Sequence, residues 1–168
     1  MRLIVTKILS AAAAAVALMV GNAIAQTPRA GGVLNFAVIA EPPNYDCHSS
    51  TTFALIHPVA PHYSTLLKFD GANFPNVQGD LARSWEISPD GRTYTFRLHD
   101  GVKFHDGTAL TSVDVKASFE RIARPPAGIV SARSSSWADL DTIETPDATT
   151  VVFRTKVPVA GLMGHFAN

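Results

Sequence analysis

Apolar and polar residues alternate over residues 92–98: Tyr94, Phe96 and Leu98 share one face, and Thr93, Thr95 and Arg97 share the other. A period of two predicts a half-buried strand. Residues 81–87 read as a second strand. Between them, Ser88-Pro89-Asp90-Gly91 places Pro, Asp and Gly where a tight turn needs them, so the pair predicts a hairpin. The period changes after Gly107. Thr111-Ser112-Val113-Asp114 resembles a capping box with Asp in the place usually held by Glu or Gln. Val115, Phe119 and Ile122 then recur at i, i+4 and i+7, the stripe of an amphipathic helix, and Pro125-Pro126 closes it. Residues 142–155 predict a second hairpin about Pro146-Asp147-Ala148.

The flanks are less regular. Residues 33–39 are mostly apolar and predict a strand buried on both faces, ended by Pro42-Pro43, which forbid regular ladder pairing. Residues 45–52 are polar and irregular. Residues 52–67 are apolar but carry Pro58 and Pro61, which allow only a broken helix. Residues 69–73 read as a turn, a serine-rich loop spans 131–136, and residues 161–166 can open a helix. Trp85 and Trp137 fit a core better than a ligand platform.

The first 25 residues change the class of protein expected. Arg2 and Lys7 precede an apolar run over residues 8–20, and Ala23-Ile24-Ala25 supplies a small-x-small cleavage pattern. This predicts a secretory signal peptide cleaved after Ala25. Nothing after Val20 is long and apolar enough to span a bilayer. The length beyond the signal predicts one domain. Basic and acidic residues number 14 each, with no basic block, which argues against nucleic acid. Cys47 is the only cysteine, so no internal disulfide can form and stability must come from an apolar core.

Candidate chemistry centres on HDGVKFHDG, in which His-Asp-Gly occurs at His99 and again at His105. Two readings compete. His99, Asp100, His105 and Asp106 could serve an exported metal-dependent hydrolase, since an offset of six keeps both histidines on one face of an unbroken strand. Alternatively, Asp100-Gly101 and Asp106-Gly107 are turns bracketing Val102-Lys103-Phe104. The turn reading is favoured, because Gly101 breaks the strand and no third histidine is local to complete a zinc site. Cys47-His48 adjacency does not by itself aim the thiol at the imidazole, and no nucleophile elbow, phosphate loop or dinucleotide fingerprint is present. A secreted β interaction domain without a small ligand is a further alternative.

The segment LARSWEISPDGRTYTFRLHDGVKFHDGTALTSVDVKASFER resembles the hallmark region of the family 5 extracellular solute-binding proteins, the peptide- and nickel-binding components of ABC importers. The shared features are Ala-x-Ser-Trp, the Ser-Pro-Asp-Gly turn, Tyr-Thr-Phe, Gly-Val-Lys-Phe-His-Asp-Gly and Asp-Val-x-x-Ser. GGVLNFAVIAEPPNYDCHSS is similar to the family's opening strand and loop, with Tyr45-Asp46-Cys47 where Leu-Asp-Pro is usual. A basic residue usually stands where His99 is.

The resemblance implies an α/β fold: a fragment of a two-lobed, type II periplasmic binding protein with an extra subdomain, a mixed β-sheet with hairpins, and one clear amphipathic helix. Residues 26–46 would supply the first strand of lobe I, and 47–168 the small extra subdomain. Neighbours of the first strand, the second lobe, and its acidic residue for a ligand amine would lie beyond this sequence, so the chain is not expected to bind peptide tightly alone. The implied role is non-enzymatic and needs no cofactor or metal. A small solute (oligopeptide, dipeptide, opine or metal chelate) is captured in the periplasm and passed to an inner-membrane ABC permease. Within this chain the expected ligand-side residues are Glu41, Tyr45, Asp46, Cys47 and His48, because clefts form where strands end at a lobe interface. Asp46 would meet a cationic group, or only cap its loop.

Overall fold

A computed structural model describes residues 30–167. The expected signal peptide lies outside the described residues. The chain divides into two units, the second of them beginning at Ala37. Residues 33–39 form no strand, against the expectation from their composition. Val33, Leu34 and Ile39 are 83–88% exposed. A strand exists only through ladder bonds to a neighbour. Among the described residues none pairs with this segment, so apolar content alone does not order it.

The second unit runs as helix α1 (Phe53–Val59), a 3₁₀ turn (Ala60–His62), strands β1 (Leu67–Phe69), β2 (Val77–Gly79), β3 (Ala82–Ile87) and β4 (Thr93–Leu98), helix α2 (Ser112–Ala123), a 3₁₀ turn (Ser134–Trp137), strands β5 (Leu140–Asp147) and β6 (Thr150–Thr155), and helix α3 (Leu162–His165). Strands β1 and β2 pair alone, and the others form a sheet in the order β3-β4-β6-β5. Every pairing is antiparallel, as short hairpin connections require. Both predicted hairpins are present, and the helical segment is interrupted as expected, with α1 running through Pro58 to Val59 and giving way to the 3₁₀ turn that holds Pro61.

The alternation read in β4 becomes burial. Tyr94, Phe96 and Leu98 are buried and Arg97 is exposed. Opposite them in β6, Phe153 faces Tyr94 and Val151 faces Phe96 in register. Helix α2 lays its stripe on this face: Val115 is buried, and Phe119 and Ile122 pack against the core. Trp137, the last residue of the second 3₁₀ turn, and Phe166, just after α3, complete an aromatic cluster. Phe153 meets Phe119 and Phe166 at 4.9 Å between ring centroids, and Phe96 meets Phe166 at 4.6 Å, all edge-on. Each such ring contributes roughly 1.5–3 kcal/mol by burial and about 0.5–1.5 kcal/mol per edge contact.

Polar bonds fix where α2 starts. The Asp114 carboxylate accepts from the Thr111 backbone N–H and hydroxyl, both at 2.8 Å, so Asp does serve in the capping position. Ser112, fully buried, donates from its N–H to the Ala148 carbonyl (2.8 Å) and from its hydroxyl to the Asp147 carbonyl (2.5 Å). The helix is thereby tied to the turn between β5 and β6. At its far end, Arg124 donates to the carbonyls of Leu140 and Asp141 at 3.1 and 2.6 Å.

Candidate functional site

The repeated His-Asp-Gly is a pair of corners. Gly101 and Gly107 have φ of +72° and +88°, a region that L side chains rarely adopt. Asp106 accepts from the Thr108 N–H (2.9 Å) and hydroxyl (2.7 Å), which hold its carboxyl below the usual range. Asp100 instead takes Arg83 at 3.0 Å. Between the corners, Phe104 N–H donates to Thr108 and Leu110 N–H to Val102, each at 2.9 Å, so Val-Lys-Phe is one rung of a small hairpin. His105 sets its ring edge-on to Tyr63 at 6.4 Å, while His99 serves through its backbone N–H to Leu81. Among the described residues no group of three His, Cys, Asp or Glu is placed to hold a metal.

The loop after Pro43 is organised differently. Its backbone is wound by its own polar side chains. Asn44 Oδ1 accepts from the Asp46 N–H and the Ser49 hydroxyl, both at 2.9 Å, and Asp46 Oδ1 accepts from the His48 N–H at 3.0 Å. This is the local turn chemistry expected of Asn and Asp. The loop is then fastened to distant elements. Arg121 of α2 grips Asp46 with both nitrogens, Nη2 to Oδ2 at 2.6 Å and Nη1 to Oδ1 at 3.1 Å. Arg121 Nη1 also donates to His48 Nδ1. Arg133 donates to the Cys47 carbonyl at 2.9 Å, and the Ala132 N–H to the His48 carbonyl at 3.0 Å.

The electrostatics follow. The Arg121 guanidinium bonds draw the Asp46 carboxyl down from 3.8 to about 2. Burial, then the charge of Arg121, pulls the His48 imidazole below its ordinary value. Arginine has donors only, so His48 Nδ1 must accept, and the neutral ring carries its proton on Nε2.

Of the expected ligand-side residues, the structure brings Asp46, Cys47 and His48 together against α2 and the 131–134 loop. Glu41 and Tyr45 stand outside that knot, both exposed, with the Tyr45 hydroxyl donating to Glu41 Oε1 at 3.3 Å. Sequence reasoning missed Arg121 and Arg133. Arg121 adjoins the apolar stripe of α2, where a charged residue reads as ordinary solvated surface, so no local signal marks it.

The sequence profile described as "Bacterial extracellular solute-binding proteins, family 5 Middle" matches residues 76–168. The chain belongs to this family. This family 5 chain is 40% identical over 111 residues to the "Probable D,D-dipeptide-binding periplasmic protein DdpA" of Escherichia coli, covering 64% of this chain and 21% of that protein. It is similar to NikZ of Campylobacter jejuni, solved with Ni(L-His), at 30% identity and a TM-score of 0.58, covering 63% of this chain and 21% of NikZ. The fold also matches OppA of Haemophilus influenzae, solved with the peptide RPPGFSPFR, at 22% identity and a TM-score of 0.68, covering 76% and 28%. The chain spans about a fifth of the length of the curated relatives it matches. Those relatives are solute-binding proteins, and the expected α/β fold stands, with antiparallel pairing throughout.

Proposed function

We propose that this chain supplies first-lobe structure to the substrate-binding component of an ABC importer for peptides or related small solutes. The protein works in the periplasm after cleavage behind Ala25 and delivers its cargo to an inner-membrane permease. Residues 26–46 contribute the entry to lobe I and residues 47–168 its extra subdomain. Binding is non-covalent, with no catalytic step. The observation that carries this reading is the family match over residues 76–168, the region that folds as sheet and helix. Named relatives associated with a D,D-dipeptide and a nickel–histidine chelate support a small polar solute as cargo.

The ligand-facing segment of this chain is the loop 41–48. It carries exposed Glu41 and Tyr45 on a backbone that Arg121 and Arg133 hold still. A preformed loop of this kind binds at lower entropic cost than a mobile one.

The test is a chimera in which this chain replaces the matching segment of the Escherichia coli relative. It is titrated calorimetrically with D-alanyl-D-alanine beside the chain alone. The chimera should bind and the chain alone should not. A folded chimera without affinity would overturn the reading. So would one stoichiometric metal per chain that is lost on His105→Ala.

A further inference from the structure

Asp46 has little left to offer a ligand. A carboxylate presents about four acceptor positions. Three are filled from within: His48 N–H and Arg121 Nη1 on Oδ1, and Arg121 Nη2 on Oδ2. The carboxylate thus faces the guanidinium, and both groups are about one third exposed. His48 Nδ1 is taken by the same arginine, and the Cys47 carbonyl by Arg133. Three successive loop residues are therefore spent on anchoring. Their anchors come from α2 and the 131–134 loop, both packed on the aromatic core through Phe119 and Trp137.

We propose that Arg121 is a positioning residue that sets the conformation of the 44–49 loop from inside. Asp46 is its strut, and contact with cargo falls to Tyr45 and Glu41. The assignment of Tyr45 and Glu41 rests on the binding-protein reading above; the strut does not. Tyr45 is 61% exposed, and its hydroxyl donates to Glu41 at the surface. A phenol and a carboxylate held there suit the ammonium and amide groups of a peptide-like solute.

Cys47 makes the strut measurable, because it is the only cysteine in the chain and sits half-buried in the anchored loop. The full chain is treated with N-ethylmaleimide at fixed pH, and the single adduct is followed by intact mass. Opening of the loop exposes the thiol, so the rate reports local release rather than global unfolding. Arg121→Ala should raise the rate at least about tenfold. Arg121→Lys keeps the charge but not the paired geometry and should fall between. The exchange Asp46→Arg with Arg121→Asp should bring the rate back toward wild type. Arg124→Ala, at the C-cap three residues beyond Arg121, removes the bonds to the Leu140 and Asp141 carbonyls but leaves the Asp46 pair in place, and should stay within about twofold of wild type. Far-UV circular dichroism confirms that each variant is folded. If Arg121→Ala unfolds the chain, Arg121→Lys and the charge exchange still decide the matter.

A wild-type rate in every folded Arg121 variant overturns the strut, and so does an Arg124→Ala rate as high as that of Arg121→Ala. In the chimera, D-alanyl-D-alanine affinity should fall equally for Arg121→Ala and Asp46→Ala, recover in the charge exchange, and fall in Tyr45→Phe. A larger loss for Asp46→Ala with no recovery would make Asp46 itself a ligand contact. A folded chimera without affinity defeats the binding reading and leaves the alkylation rates to judge the strut.

Discussion

The aromatic body and the 44–49 loop are both well-defined, but opposite forces hold them. In the body, Phe96, Phe153 and Phe166 are essentially excluded from water, and order comes from area removed from solvent and from edge-on ring contacts. The loop buries little apolar surface. It is fixed by Asn44 and Asp46 turning their own backbone and by arginines arriving from two other segments. Apolar packing is non-directional and cumulative, whereas a charge-assisted pair is directional and depends on protonation. The body should therefore fail cooperatively and the loop locally.

The largest effect should follow from opening the body. Phe153→Ala removes the ring shared by Phe96, Phe119, Trp137 and Phe166 and should cost about 3–5 kcal/mol in denaturant unfolding. A cost under about 1 kcal/mol would show that the cluster does not carry the body's stability.

An intermediate effect should come from the corners. Gly101→Ala and Gly107→Ala force a Cβ into positive φ and should cost about 1 kcal/mol each. His99→Ala and His105→Ala, on exposed side chains, should stay within about 0.5 kcal/mol by the same unfolding assay. The reverse ranking would return the repeat to a metal-site role.

The smallest global effect belongs to the loop, and it should depend on pH. The Asp46 carboxyl is lowered from 3.8 to about 2, so its pair adds stability above the unfolded value and loses it as pH falls through that interval. The difference in Tm between wild type and Asp46→Asn should be present near pH 5 and shrink as pH drops toward 3. A difference that stays constant over that range would mean that the charge of Asp46 contributes nothing.

The alternation Tyr94-Phe96-Leu98, the stripe Val115-Phe119-Ile122 and the Asp-Gly corners were each legible because their cause is local. A side chain's face follows from strand or helix periodicity, and a turn follows from residues that tolerate or stabilise it. The capping role of Asp114 was legible for the same reason. Residues 33–39 misled because hydrophobicity measures what a segment would gain by burial and says nothing about whether a partner is at hand. Trp137 could be assigned to a core, but the convergence of Trp137, Phe119 and Phe166 on Phe153 joins residues far apart in sequence.

The candidate loop divides the same way. Sequence alone determined that residues 45–52 would be polar and irregular, with capping of the loop as one role open to Asp46, because short polar side chains bond their own backbone locally. Only the tertiary structure decided that Asp46 faces Arg121, 75 residues away, and not open solvent. That pairing requires α2 to be laid on the sheet by its apolar stripe first. The stripe sets the helix's rotation, and the rotation aims the guanidinium.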